Sequence, residues 1–259
     1  MNKMDELFQV SVLQALSLGD YHGSISVDEF KAHGDIGLGT FNHLNGEMIM
    51  VDGVVYRADG EGEVTEVLND TIPFGNAAFI ENGEEVTISA DSIETLRTRL
   101  NDHITKNGIN HMYAVRIDGL YDHITVRSIR AQKEPYLPLV RVLTEQQKVW
   151  DHESVKGTIV GFHLPSYMDK MNTDDWHLHF ISDDRRIGGH VLNASLEKGS
   201  AKIKKLEGLH IRLPDDREFR SLCLDVDQKE DIKRRTCFCC MGQCSTSKQC
   251  RIKQLGYQF

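Results

Sequence analysis

The feature that most restricts the fold of this chain is a run in which histidines alternate with apolar residues. A short polar break and a second strand-like run follow it. Between Trp176 and Phe180, two histidines alternate with apolar side chains, and alternate side chains of a β-strand point to opposite faces of the sheet. Residues 183–186 are all charged and predict a turn, after which residues 187–193 are again typical of a strand. If the hairpin is centred on this turn, His179 lies directly opposite His190.

His177, His179 and His190 then form a candidate metal site on one face of the hairpin. Cβ atoms of directly opposed residues are roughly 4.5–5.5 Å apart, which allows imidazoles to share one ion at Zn–N distances of about 2.0–2.1 Å. Three histidines with an open fourth position are typical of a catalytic zinc site, so Zn2+ is the expected cofactor. Two ordinary half-buried histidines bonded to carbonyls are the alternative, and the third histidine in register favours the metal. Gly188 and Gly189 are expected to permit close approach of backbone or substrate.

Helical signals lie in the first half of the chain. They are the spacing of Leu7, Val10 and Leu13, a capping box of Ser26 with Glu29, and a capping box of Asp91 with Glu94. The last of these predicts the longest helix, because one apolar face continues until Gly108 offers a C-cap. Its face is Ile93, Leu96, Leu100 and Ile104.

Strand signals accompany these helices and then dominate the second half. Asp52-Gly53 and Asp118-Gly119 are each typical of a β-hairpin turn. The runs they are predicted to join are 48–51 with 54–56, and 113–117 with 124–129. Beyond Trp150 the strand-like runs are 157–163, 176–181, 187–193 and 201–205. The second half is therefore predicted to be almost wholly antiparallel β.

Charge and composition restrict the partners. The net charge of −9 argues against a phosphate-binding surface, so no nucleic acid is expected. Residues 1–6 are polar with no apolar run behind them, and no later segment approaches a membrane span, so we expect a cytoplasmic chain without membrane association. Five of the six cysteines follow residue 236 and none precedes Cys223, so the main body is expected to need no disulfides.

Further motifs resemble those of the acetolactate decarboxylase family, in the same order along the chain. They are residues 33–40, 46–47, 51–53 with Tyr56, 126–128, 135–136, 157–162, 176–181 and 188–192. The resemblance runs from about Leu7 to Asp227. It implies an enzyme, a carboxy-lyase that converts 2-acetolactate to acetoin and CO2 through a metal-stabilised enediolate. It also implies a small-molecule substrate and zinc on the three histidines.

The fold expected from pattern and resemblance together is α+β. It is a two-part α/β fold, with an N-terminal mixed sheet with helices and a C-terminal, largely antiparallel β region that carries the metal site. The predicted parts are an N-terminal α/β subdomain at 1–135, a C-terminal β metal-binding subdomain at 136–235 and an atypical Cys-rich tail at 236–259. A homodimer is a hypothesis, and the sequence leaves oligomeric state, stereochemical preference and substrate range open.

The resemblance further assigns Glu47, Arg127 and Thr40 to the catalytic pocket. Arg127 would orient the carboxylate or stabilise the enediolate through its planar fork. Glu47, with a pKa raised in an enclosed pocket, would deliver the proton. Without the resemblance, the local pattern favours an exposed residue before a hairpin strand for Glu47 and a solvent-facing cation for Arg127, and Thr40 could be a simple β-former.

The C-terminus departs from the family. An active-site glutamate is expected within one helical turn after Asp231-Ile232, where this chain has Thr236. A translated frameshift, a read-through and an uncharacterised extension all stay open as origins of the tail, and it is open whether Glu230 substitutes for the glutamate. A second metal site on Cys237, Cys240, Cys244 and Cys250 lacks the paired Cys-x-x-Cys knuckles of strong zinc motifs.

Two other classes of function use the same histidines. A zinc hydrolase would generate metal-bound hydroxide on them. A catalytically impaired, metal-bound binding protein would hold the ion without forming acetoin, and the replacement of the C-terminal glutamate adds weight to this alternative.

Overall fold

A computed structural model of the chain describes residues 5–173 and 175–225. The predictions for Glu230, Thr236 and the Cys-rich tail lie outside these residues. Cys223 is the single cysteine within them, and it is exposed. The described residues as far as Leu222 belong to one compact unit. Within the same ranges, no helix combines the length and the apolar character that crossing a bilayer requires.

β-strand is the predominant regular secondary structure of the described residues. The strands are β1 (Glu6–Val10), β2 (Ile25–Ser26), β3 (Ile36–Thr40), β4 (Glu47–Val51), β5 (Val54–Ala58), β6 (Val64–Glu66), β7 (Thr71–Ile72), β8 (Phe74–Ala78), β9 (Glu84–Ala90), β10 (Met112–Ser128), β11 (Lys148–His163), β12 (Trp176–Ser182), β13 (Gly188–Leu206) and β14 (Gly208–Arg212). The helices are α1 (Leu13–Ser17), α2 (Val27–Lys31), α3 (Ile93–Asn107), α4 (Leu139–Gln146) and α5 (Arg217–Ser221), with 3₁₀ turns at Asn42–Leu44 and Ser166–Met168.

The strands form two large sheets and one small pair. The first sheet is mixed and has the order β14-β1-β8-β3-β4-β5-β6, in which β1 and β14 are parallel and the other neighbours antiparallel. The second has the order β10-β11-β12-β13-β9 and is antiparallel throughout. Because β10 also pairs with β13, the strands β10 to β13 close into a ring. The predicted α+β class, with a mixed sheet and an antiparallel region that carries the histidines, is confirmed.

The sheets do not divide the chain at residue 135. The strands β9 and β10 precede that residue and lie in the second sheet, whereas β14 follows it and lies in the first. The boundary at 135 therefore stays a prediction about subdomains, and the pairing of strands crosses it in both directions.

Several local predictions are confirmed. Asp52 and Gly53 have φ of 52° and 73°, as a two-residue hairpin turn between β4 and β5 requires. The Ser26 hydroxyl accepts a hydrogen bond from the Glu29 backbone N–H at 3.2 Å and caps α2. The helix α3 buries its expected apolar face and ends at Gly108, although its N-cap is Ser92, one residue after the predicted Asp91.

Two local predictions are wrong. Leu7 and Val10 lie in strand β1, because this segment pairs with β14 on one side and β8 on the other. Asp118-Gly119 is not a turn, because β10 runs straight through it. Gly119 pairs with Gly157 of β11 and with Gly199 of β13, and a Cβ on Gly119 would lie 3.3 Å from the Gly199 Cα atom. This glycine permits close packing of three strands and does not reverse the chain.

The core explains which face of β12 carries the histidines. Trp176, Leu178 and Phe180 pack with the apolar face of α3 in one buried cluster. Ile181 belongs to a second cluster that joins the two large sheets. Because alternate residues of a strand face opposite ways, His177 and His179 lie on the same side as Ile181, between the sheets.

Candidate metal centre

The hairpin of β12 and β13 has the register that its sequence predicts. His179 pairs with His190, Phe180 with Gly189 and Ile181 with Gly188. The Ser182 N–H donates to the Ile187 carbonyl at 2.8 Å and closes the turn. Directly opposed residues share a face of the sheet, so the register brings His190 to the side of His177 and His179.

The three imidazoles converge. Their ring centroids are 4.9–5.3 Å apart, and one nitrogen of each ring lies within 4.8 Å of the others. His179 is buried, whereas His177 and His190 are half-buried. Within the described ranges, this is the one group of three or more histidine, cysteine or carboxylate side chains close enough to share an ion.

Hydrogen bonding leaves ring nitrogens free to bind a metal. The Nδ1 atom of His179 lies 2.8 Å from the Met48 carbonyl oxygen. A carbonyl oxygen accepts only, so Nδ1 carries the proton and Nε2 presents its lone pair. That Nε2 atom lies 3.1 Å from Nε2 of His177. The Nδ1 atoms of His177 and His190 are buried without a hydrogen-bond partner, and an ion on these rings would orient them.

The electrostatics keep the rings neutral. Burial, assisted by the nearby Arg127 cation, lowers the pKa of His177 to about 3 and the pKa of His190 well below its usual value. Burial, followed by the neighbouring His177, does the same to the pKa of His179. Neutral imidazole is the form that binds metal ions, so the donor set fits a divalent cation.

Glu47 and Arg127 lie beside the histidines, although they come from different sheets. The Arg127 Nη1 atom donates to Glu47 Oε1 at 3.0 Å, and Glu47 Oε2 is 3.5 Å from His179 Nε2. Arg127 of β10 pairs directly with His190 of β13, which sets both side chains on one face. Burial raises the pKa of Glu47, and the Arg127 charge opposes that rise.

Thr40 lies one strand away from these groups. It pairs with Glu47 in the β3–β4 ladder and is 4% exposed. Its hydroxyl donates to the Gly46 carbonyl at 2.7 Å, so it braces the turn that delivers Glu47. Contact of Thr40 with substrate stays a prediction.

Gly189 is needed for the approach of β13 to β10. Its φ is +147°, and a Cβ there would lie 2.5 Å from the Arg127 carbonyl oxygen. The expected close approach is therefore one of backbone to backbone, and it places Arg127 next to His190.

The sequence did not point to the backbone carbonyl of Met48, which sets the orientation of His179. Any residue offers such an oxygen, so no side-chain pattern marks it. The single available signal is that Met48 follows Glu47 directly on a strand.

Comparison with known proteins agrees with this arrangement. The profile described as "Alpha-acetolactate decarboxylase" matches residues 7–226. The alpha-acetolactate decarboxylase of Methanosarcina mazei is 36% identical over 236 residues, which are 90% of this chain and 81% of that protein. That of Bacillus subtilis strain 168 is 35% identical over 233 residues, covering 89% of this chain and 90% of that protein. The crystal structure of the alpha-acetolactate decarboxylase from that strain superposes with a TM-score of 0.82 at 34% identity, covering 87% of this chain and 96% of that one.

The α+β fold, the histidine triad between its two sheets and these matches together define the class of this protein. It is an enzyme with a candidate metal site. The chain belongs to the alpha-acetolactate decarboxylase family, and the relatives above are named as decarboxylases, which are carboxy-lyases. The expected enzyme class is confirmed, and the profile match ends close to Asp227, where the sequence resemblance also ends.

Proposed function

We propose that this chain is a zinc-dependent acetolactate decarboxylase that converts 2-acetolactate to acetoin and CO2. The observation that carries the proposal is the juxtaposition of three neutral histidines with a buried carboxyl–guanidinium pair. The distances that define it are 3.5 Å between Glu47 and His179 and 3.0 Å between Glu47 and Arg127. Family membership supports the choice of substrate.

The reaction sets two chemical requirements. When the carbon–carbon bond to the carboxylate breaks, its electron pair stays on the substrate and must be accommodated at the ketone oxygen. The carbon must then receive a proton. A zinc ion on His177, His179 and His190 would supply the electrophile for the substrate oxygens. Nitrogen ligands in a set of three with an open position favour zinc over magnesium or calcium, which prefer oxygen ligands.

Arg127 binds and orients the substrate in this proposal. One guanidinium nitrogen is bonded to Glu47, and the others remain for a carboxylate or for an oxygen that gains negative charge. A guanidinium stays charged when it is buried and presents its donors in one plane. The same group can therefore hold the carboxylate before the bond breaks and stabilise charge on oxygen afterwards.

Glu47 is the proposed proton donor. Burial raises its pKa, which favours the protonated form that a general acid needs. After CO2 leaves, the proton of the Glu47 carboxyl group moves to the substrate carbon that carried the carboxylate. The resulting Glu47 carboxylate is paired with Arg127 until solvent returns a proton. Each turnover thus consumes one proton from solvent and releases one CO2.

The decisive experiment measures acetoin and metal together. Purified protein is incubated with 2-acetolactate, with and without a chelator, and acetoin is followed colorimetrically while bound metal is determined by elemental analysis. The proposal expects close to one zinc per chain, acetoin formation, and loss of both with chelator. Bound zinc without acetoin would reject decarboxylation. If a hydrolytic product appeared instead of acetoin, the alternative function, a zinc hydrolase, would replace the proposed decarboxylase.

A cytoplasmic location and a homodimer stay predictions beside this function. Light scattering during size-exclusion chromatography tests the second, and neither prediction bears on the roles assigned to Glu47 and Arg127.

A further inference from the structure

A buried hydroxyl joins the two large sheets next to the pair of Glu47 and Arg127. Ser128 is the last residue of β10, directly after Arg127, and it is 0% exposed. Its Oγ atom donates to the Ala58 carbonyl oxygen of β5 at 2.7 Å. Ala58 is the residue directly opposite Glu47 in the β4–β5 ladder. The bond from Ser128 and the bond from Arg127 therefore join neighbouring residues of β10 to a directly opposed pair of the first sheet.

The Ser128 bond fixes the point from which the Arg127 side chain extends. Consecutive Cα atoms are about 3.8 Å apart, so a Ser128 held against β5 leaves the Arg127 Cα atom little freedom relative to that strand. The guanidinium must meet Glu47 and, in the proposed function, the substrate carboxylate as well. Such groups need to be held within about 0.5 Å of their productive positions, and a misplacement of about 1 Å can cost on the order of 100-fold in rate.

The turn that precedes Glu47 approaches the same carbonyl group. Gly46 has a φ of +80°, and a Cβ there would lie 2.5 Å from the Ala58 carbonyl oxygen. The Gly46 carbonyl oxygen in turn accepts the Thr40 hydroxyl at 2.7 Å. The segment that leads into Glu47 and the residue that follows Arg127 therefore both pack against the Ala58 carbonyl.

Two ion pairs also join the turn between β5 and β6 to the second half of the chain, but they are exposed. Glu61 pairs with Arg130 and with Lys148, and these three side chains are 52%, 62% and 40% exposed. Exposed pairs of this kind are weak and are screened by salt. Loss of the Ser128 hydroxyl instead removes a donor from a buried carbonyl group. Among these contacts, the Ser128 bond is the one whose loss should alter the geometry of the neighbouring pair.

We propose that Ser128 is a positioning residue for the decarboxylation, which holds Arg127 and Glu47 at their mutual distance because it joins β10 to β5. This inference rests on the proposed function, because that function assigns substrate orientation and proton transfer to the pair. Ser128 acts through the pair, and its role requires no contact with the substrate.

Removal of the hydroxyl, with two matched controls, tests the proposal. Ser128→Ala is compared with Tyr121→Phe, which also deletes a buried hydroxyl of β10, one that donates to the Ile117 carbonyl at 2.9 Å. Glu61→Gln weakens the exposed ion pairs of the β5–β6 turn. All three variants are assayed for kcat, KM, zinc content and urea unfolding. We expect Ser128→Ala to lower kcat/KM by about 10- to 100-fold with zinc retained, and both controls to keep wild-type kinetics.

A purely structural role would lower the stability of Ser128→Ala without changing the kinetics of the folded protein. Ser128→Ala and Tyr121→Phe would then both unfold at lower urea concentrations and both keep wild-type kcat/KM, and this result would overturn the proposal. The conservative variant Ser128→Thr keeps a hydroxyl on the same Cβ atom and should recover at least part of the lost kcat/KM. If Ser128→Ala does not fold, Ser128→Cys replaces it with the same expectation, because a thiol is a weaker donor than a hydroxyl.

Crystal structures of the variants keep this test independent of turnover. The Arg127–Glu47 bond, which is 3.0 Å long in the parent chain, should lengthen beyond hydrogen-bonding distance in Ser128→Ala and stay unchanged in Tyr121→Phe. That result supports the positioning of the pair by Ser128 even if the wild-type chain forms no acetoin, an outcome that would reject the proposed function alone. An unchanged bond in Ser128→Ala would reject the positioning role even if the wild-type chain is active.

Discussion

Replacing Glu47 by glutamine removes the proposed acid while it preserves the shape of the pocket. The amide oxygen can keep the hydrogen bond that Arg127 Nη1 now donates to Oε1 at 3.0 Å. The group lost is the ionisable oxygen that lies 3.5 Å from His179 Nε2. Since none of the three histidines is altered, the variant should retain zinc.

The size of the effect follows from these contacts. Loss of a general acid costs about 10²–10⁴-fold in rate, so kcat should fall by that factor. The Arg127 and Glu47 side chains are only 13% and 8% exposed, so an unpartnered guanidinium there would cost about 3–5 kcal/mol of unfolding free energy. Glutamine still offers Arg127 an acceptor, and because burial raises the pKa of Glu47 the folded state already favours an uncharged side chain at this position, so the unfolding free energy should not fall in this variant.

The assay combines acetoin kinetics, zinc analysis and chemical denaturation. Glu66→Gln makes the same chemical change at an exposed position of β6 and should leave all three quantities unchanged. A Glu47→Gln protein that keeps zinc and turns over at the wild-type rate would refute the role of Glu47 as proton donor.

Three further predictions concern the metal, the guanidinium and a buried carboxyl outside the site. His179→Ala should remove both zinc and acetoin formation, and full zinc retention on elemental analysis would contradict the ligand assignment. Arg127→Lys should lower kcat/KM although it keeps the charge, because an ammonium cannot reproduce the bidentate fork, and a wild-type rate would reject that role. Asp20 is 6% exposed with one carboxyl oxygen unpartnered, and burial, followed by the nearby Asp216 charge, raises its pKa from 3.8 to about 6. The folded state thus favours the neutral carboxyl, so this contribution to stability is fully present below about pH 4 and is lost as pH rises through about 6. Asp20→Asn should therefore stabilise the protein at pH 7.5, by on the order of 2–3 kcal/mol, with no gain near pH 4, and urea unfolding at both values checks this.

Local periodicity was sufficient to predict the histidine hairpin. The alternation of His177 and His179 with apolar residues sets their common face, and the length of the charged turn sets the register with His190. The same holds for the Asp52-Gly53 turn and for the apolar face of α3. In each case the determining interactions lie within about fifteen residues, where strand and helix geometry alone decide which side chains meet.

Interactions between distant segments could not be derived in this way. Leu7 and Val10 have helical spacing, yet pairing with β14 and β8 makes their segment a strand, because tertiary hydrogen bonding overrides a weak local preference. Gly119 follows Asp118 as in a turn, yet the close packing of β11 and β13 against β10 requires it in an extended strand.

The rest of the pocket depends on the same long-range packing. Glu47 and Arg127 are 80 residues apart in sequence, and family resemblance, with no help from local pattern, named them together. Their contact exists because β4 of the first sheet packs over the ring of strands in the second, which also brings the Met48 carbonyl to His179. The chain encodes the candidate metal ligands in a single hairpin, whereas the contact of Glu47 with Arg127 and the orientation of His179 arise only when two sheets bury a common apolar face.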